Sequence, residues 1–116
     1  MLDELKELGV NVDEGLEHVM GDSALYDAML WMFINSVQDA AISPEDFDAE
    51  DLEGVIKKIL TLKSAAENLE LTPLIPGYSN TLELLGRELA EQAREEYERL
   101  APVQTQILDC IKASGL

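Results

Sequence analysis

LEGVIKKILTLKSAAENL, residues 52–69, is the stretch whose reading decides the fold. Within it Leu52, Val55, Ile59, Leu62, Ala66 and Leu69 recur at spacings of three, four, three, four and three. At 3.6 residues per turn that rhythm aligns the apolar side chains in one seam, of the kind that packs a helix inside a bundle. A strand would alternate at every second residue, and no stretch of the chain does so convincingly.

Working outward, the same period continues in both directions. Residues 2–8 read as a short amphipathic turn or two that stops at Gly9. Asn11 and Glu14 have capping-box spacing, which opens another short helix ending near Gly21. Asp22 and Ser23 offer caps for a longer helix whose apolar face is Leu25, Met29, Met32, Phe33 and Val37. Ser43-Pro44-Glu45 marks a break, with the proline suited to a first turn, and Asp48 is the expected cap of the central helix.

Downstream, Thr72-Pro73 and Pro76-Gly77 interrupt or kink the chain. Asn80 and Glu83 again have capping-box spacing, with Leu82, Leu85, Leu89, Ala93, Tyr97 and Leu100 as the stripe of one long helix. Pro102 kinks or restarts the chain, and Val103, Ile107 and Ile111 face inward on a terminal helix followed by Gly115. There is no repeat, low-complexity tract or flexible linker. Short connections favour antiparallel neighbours. The expected fold is therefore all-α: an up-and-down antiparallel four-helix bundle with a short additional N-terminal helix, forming a single domain over residues 1–116.

Composition sets the class of partner. The chain has 116 residues, 47% of them apolar, enough for one buried core and too few for two domains. Against 8 Lys and Arg stand 24 Asp and Glu, a net charge of −16. Such a surface repels nucleic-acid phosphate and anionic lipid, so neither nucleic acid nor membrane is the expected partner. Most of the charge is explained by solvation alone. The longest apolar run, Ala28 to Ile34, is too short to span a bilayer, and the acidic start MLDELKEL is unlike a signal peptide. A lone cysteine, Cys110, permits no internal disulfide and reads as a small apolar residue on the core side of the last helix. These features place the chain in the cytoplasm.

The most informative motif lies inside the opening stretch. Leu60-Thr61-Leu62-Lys63-Ser64-Ala65-Ala66-Glu67-Asn68-Leu69 resembles the signature of histidine phosphotransfer (HPt) domains, commonly H-x-L-K-[GS]-x-[AS]-x-x-[LI]. Leu62, Lys63, Ser64, Ala66 and Leu69 stand where that pattern wants them, and Asn68, Thr72 and Leu74 fit variants of it. Upstream, Gly9 to Phe33 reads like the first two helices of such domains, and Leu82 to Arg87 is similar to their third bundle helix. The departure is at Leu60, which occupies the place of the phosphorylated histidine.

The resemblance implies a signalling module of a two-component phosphorelay whose partner is a response-regulator receiver domain or a histidine kinase. If Ile59 and Leu62 face the core, Leu60 faces out, on a ridge with Glu53, Ile56, Lys57, Lys63, Ser64 and Glu67. An HPt domain needs that geometry: an exposed imidazole, a lysine one turn on to balance phosphate, and a small residue that lets the receiver approach. Leucine has no nucleophilic nitrogen and cannot hold a phosphoryl group. The expected role is docking without transfer, through Ile56, Lys57, Leu60, Lys63, Ser64 and Glu67, with no catalytic residue, no enzyme activity and no cofactor. Isolated surface hydrophobes are common, so Ile56 and Leu60 acquire meaning only from the resemblance. The alternative is a helical adaptor or structural interaction protein with no phosphorelay role.

Other residues offer less. His18, the one histidine, lies between Leu16 and Val19 with no Lys-small pattern after it, and reads as an ordinary surface or half-buried residue. Thr61 and Ser64 have no adjacent base to activate their hydroxyls. The run Asp46 to Asp51 resembles the opening of a calcium loop. Its sixth position is Asp51 where glycine is needed, and its twelfth is Lys57 where glutamate is needed. No metal is expected, since one histidine and one distant cysteine cannot supply a zinc site with four soft ligands. Trp31 falls off the apolar face of its helix, which places it at an edge or a partner contact.

Overall fold

A computed structural model describes residues 2–48 and 50–114, with the side chain of Ser114 left aside. Among these residues the protein is entirely helical, with helix making up 79% and no strand. Six α-helices follow in order: α1 Leu2–Glu7, α2 Val12–His18, α3 Ser23–Ala40, α4 Glu53–Leu69, α5 Ile75–Gly86 and α6 Ala90–Ser114. A 3₁₀ turn, Pro44–Phe47, lies between α3 and α4. The amphipathic segment at residues 2–8 and the short helix opened by Asn11 are both present, as α1 and α2, so two short helices precede the longer ones. Gly115 falls outside the described residues.

The starts follow the sequence where a polar cap was present. The Asn11 side chain accepts from the Glu14 N–H (3.3 Å) and donates to the Glu14 carboxylate (3.1 Å), closing the first turn of α2. Asp22 accepts from the Leu25 N–H (3.1 Å) and opens α3. The 3₁₀ turn begins with Pro44, and the Asp46 carboxylate accepts from the Ser43 N–H (2.9 Å). Asp48 does not cap α4; it closes the 3₁₀ turn, and Leu52 occupies the cap position.

Four helices end in one backbone motif. The N–H groups of Val10, Gly21, Leu71 and Leu89 each reach back five residues, to the carbonyls of Leu5, Leu16, Ala66 and Leu84, at 2.8–3.0 Å. In each case the preceding residue is left-handed: Gly9 at φ 97°, Met20 at 57°, Glu70 at 55° and Glu88 at 61°. This is the Schellman closure, which satisfies carbonyls otherwise left without partners. Only the first has glycine at the left-handed position.

That closure corrects the reading of the second half of the chain. The stripe Leu82 to Leu100 is not one helix, because α5 stops at Gly86 and α6 starts at Ala90. Asn80 lies inside α5, which begins at Ile75 with Pro76 in its first turn, where a missing N–H costs nothing. Pro102 does not restart the chain, since α6 runs through it. Pro102 is exposed, so water can serve the carbonyl that its absent N–H leaves behind.

Packing centres on α4, which touches α2, α3, α5 and the 3₁₀ turn. Around the four longer helices, α3 meets α4, α4 meets α5, α5 meets α6, and α6 returns to α3. The seam expected on α4 is buried at Val55, Ile59, Leu62, Ala66 and Leu69, with Leu52 half-buried just before it. On α3 the buried face is Tyr26, Leu30, Phe33 and Ile34, rotated from the expected stripe so that Leu25 is 46% and Met32 64% exposed. Residues 24–34 are apolar apart from Asp27, so periodicity leaves the phase of this helix open. Tyr26 belongs to the buried face: its hydroxyl donates to the Leu69 carbonyl (2.7 Å) at the end of α4. On the far side of the core, the Tyr78 hydroxyl donates to the buried Gln104 side chain, tying α5 to α6. No helix among the described residues is long and apolar enough to cross a membrane.

Three outcomes follow from these contacts. Gly15 brings α2 onto α4 so closely that a Cβ would sit 2.6 Å from the Tyr26 ring and 2.8 Å from the Leu69 carbonyl. Gly15→Ala is expected to cost about 1–3 kcal/mol in urea denaturation, as overpacking does. Glu88 is exposed and left-handed, so Glu88→Gly is expected to raise stability by about 0.5–1 kcal/mol in the same assay. Burial, and then Glu70 and Asp27, push the Tyr26 phenol up from 10.0 to about 12. Its folded value lies above its unfolded one, so its contribution is intact below pH 10 and is lost as pH rises toward about 12, measurable by alkaline titration of stability.

Candidate docking surface

The burial of Ile59 and Leu62 fixes the rotation of α4 and turns Leu60 outward, while Ile56 and Ala65 flank the seam and pack partly against the core. Leu60 stands in solvent, 47% exposed, as the sequence phase requires. Ile56, one turn before it, is half-buried, while Lys57, Ser64 and Glu67 are exposed and Lys63 is half-buried. Of the six residues singled out in the sequence, Lys57, Leu60, Ser64 and Glu67 thus face solvent, and Ile56 and Lys63 lie at the margin of that face.

The electrostatics of this face are nearly balanced. Lys57 lies 3.7 Å from Glu53, Lys63 3.8 Å from Glu67, and Lys58 3.7 Å from Asp46 of the 3₁₀ turn. Each ammonium thus has a carboxylate beside it. Exposed pairs of this kind are worth between nothing and about 1 kcal/mol, so an incoming anion can compete for Lys63 at little cost. Thr61 donates its hydroxyl to the Lys57 carbonyl (3.0 Å), a packing role with no base to activate it. Chemically the surface offers an apolar centre, two flanking lysines and a small serine. It holds no nucleophile at position 60.

His18 is placed elsewhere. It is exposed on α2, with Nε2 3.0 Å from the Glu70 carboxylate at the end of α4. Glu70 lies ten residues beyond Leu60, about 15 Å along a helix axis, so His18 is not a displaced occupant of the Leu60 position. The acidic run is occupied by local structure: Asp46 serves Ser43 and Lys58, and Asp51 accepts from the Glu53 N–H (2.9 Å). Ala49 within that run lies outside the described residues. Cys110 is half-buried, and burial and then Glu4 raise its thiol pKa, which keeps it protonated and a poor nucleophile.

Two features escaped the sequence. Because α3 is rotated, Met29 and Met32 form one wall of a groove against Ala65, Asn68 and Leu69 of α4, with a volume of about 170 Å³. The periodic stripe was visible, but its assignment to the interior was not correct for Leu25 and Met32. Trp31, on α3, is 37% exposed, in keeping with an edge position. The second feature is the approach of Glu14 and His18 to Glu70, whose ligand atoms all lie within 4.8 Å of one another. The spacing of Glu14 and His18 on one helical face is legible, whereas the arrival of Glu70 depends on tertiary packing. Compared with known proteins, the chain matches no family model, no curated protein and no solved structure.

Proposed function

We propose that the chain is a binding module of two-component signalling, built on the plan of an HPt domain and unable to carry phosphate itself. In this reading α3, α4, α5 and α6 are the four members of an up-and-down antiparallel bundle. The closed circuit of contacts among them supports that arrangement. The observation that carries the functional reading is the solvent exposure of Leu60 on α4, with Lys63 and Ser64 in the next turn. An imidazole at that position would be open to a receiver domain; a leucine offers only an apolar contact. The partner is a receiver domain or a histidine kinase in the cytoplasm, and binding displaces genuine transfer partners from it.

The adaptor reading rests on another observation, the exposure of Leu25 and Met32 along α3. An adaptor would use that side and be indifferent to Leu60. The two readings part on one experiment. Incubated with a receiver domain phosphorylated with radiolabelled phosphate, the wild-type chain is expected to take up no label, and Leu60→His to take it up. The double variant Leu60→Glu, Lys63→Glu is expected to bind the receiver at least about tenfold more weakly, by loss of an apolar contact and gain of like charge. Label on the wild type that survives His18→Ala would sink the claim of incompetence. Receiver binding unchanged in the double variant, or absent from the wild type, would sink the docking face.

A further inference from the structure

We propose that Glu14, His18 and Glu70 form a binding site for a first-row divalent transition-metal ion, with zinc as its best-suited occupant. The proposal is independent of the docking reading, since these residues lie on α2 and at the end of α4, away from Leu60.

The site is built by two short-range rules and one close approach. Glu14 and His18 are four residues apart on α2, so their side chains rise from the same face. Gly15, between them, lets the α2 backbone settle against the Leu69 carbonyl, where any larger residue would collide. That brings the next residue, Glu70, beside them, and the three ligand atoms fall within 4.8 Å of one another.

Asn11 then positions both carboxylate residues. Its amide donates to Glu14 Oε2 (3.1 Å), and its backbone N–H donates to the Glu70 carbonyl (3.1 Å). A hydrogen bond to a ligand carboxylate, with the backbone of a second ligand pinned, is how outer residues orient metal ligands. Drawing the three side chains onto one ion at about 2.0–2.2 Å is a matter of rotating the exposed Glu14 and His18 side chains toward the half-buried Glu70.

The donor set selects the ion. One imidazole nitrogen with two carboxylate oxygens suits zinc, cobalt or manganese, while calcium and magnesium prefer oxygen alone. Two anionic ligands on a chain of net charge −16 further favour a dication. Glu14 and His18 are exposed, which leaves room for water in the remaining positions. Facing a carboxylate that can only accept, Nε2 carries the hydrogen in the contact with Glu70. On metal binding an imidazolium loses that proton to solvent, whereas a neutral ring moves its hydrogen to Nδ1, and in either case the freed Nε2 lone pair takes the ion. The ion would clip α2, seven residues long, to the end of α4. A search for soft ligands passes over such a site, because it contains no thiolate and a single histidine.

The test is calorimetric titration of the chelator-treated full chain with zinc chloride, beside calcium chloride. The expected result is one zinc per chain, little or no heat from calcium, and at least about tenfold weaker zinc binding in both His18→Gln and Glu70→Gln. Cys110→Ser is expected to bind as the wild type does. Circular dichroism establishes that each variant is folded, and the His18 ring resonances are expected to shift at one equivalent of zinc. Absence of zinc binding to the wild type overturns the proposal. So does binding that persists undiminished in His18→Gln, or that disappears with Cys110.

Discussion

The phase of α4 governs the rest of the molecule. Five seam residues buried on one side leave the opposite side no choice but solvent, because a helix cannot turn one residue inward without turning its neighbours. The same helix touches α2, α3, α5 and the 3₁₀ turn, so its rotation also sets what those elements can present. Leu60 is outward because Ile59 and Leu62 are fully sheltered. Glu70 meets α2 because the helix ends where Leu69 accepts from Tyr26. Exposure at mid-helix and clustering at the C-terminal end are consequences of a single packing decision.

What could be read from the sequence divides along physical lines. The α4 seam was legible because its apolar positions keep an unbroken three-four spacing, and apart from Ile56 and Leu60 the residues between them are charged, polar or small. The starts of α2 and α3 were legible because Asn11 and Asp22 carry the oxygen that a first turn needs. The end of α5 was not. Its left-handed position holds Glu88 instead of glycine, and glutamate there sends no signal of termination. The same silence surrounds Glu70. The phase of α3 was hidden for the opposite reason, since too many apolar residues fit more than one face, and the phenol of Tyr26 broke the tie.

For the candidate surfaces, the outcome follows sequence distance. All six residues of the Leu60 face come from one helix, so a correct phase places them together. Glu14, His18 and Glu70 come from two elements separated by 52 residues between histidine and glutamate, and no local rule joins them. Gly15 is the silent partner of that encounter. Its role is to be absent, and absence of a side chain means little until the facing backbone is known.

The position of Trp31 has a practical corollary. It is the sole indole of the chain and sits at the rim of α3, partly wet in the native state. Only 37% of it is exposed, so its emission still moves to the red when the chain unfolds, as the environments of Tyr26 and Tyr78, both wholly enclosed, change too. In the folded protein the indole registers its own neighbourhood. An incoming surface that covers α3 would dry it and shift its fluorescence to the blue, whereas one seated over Leu60 alone would leave the spectrum as it was. The molecule thus carries an intrinsic optical probe of which side it is held by.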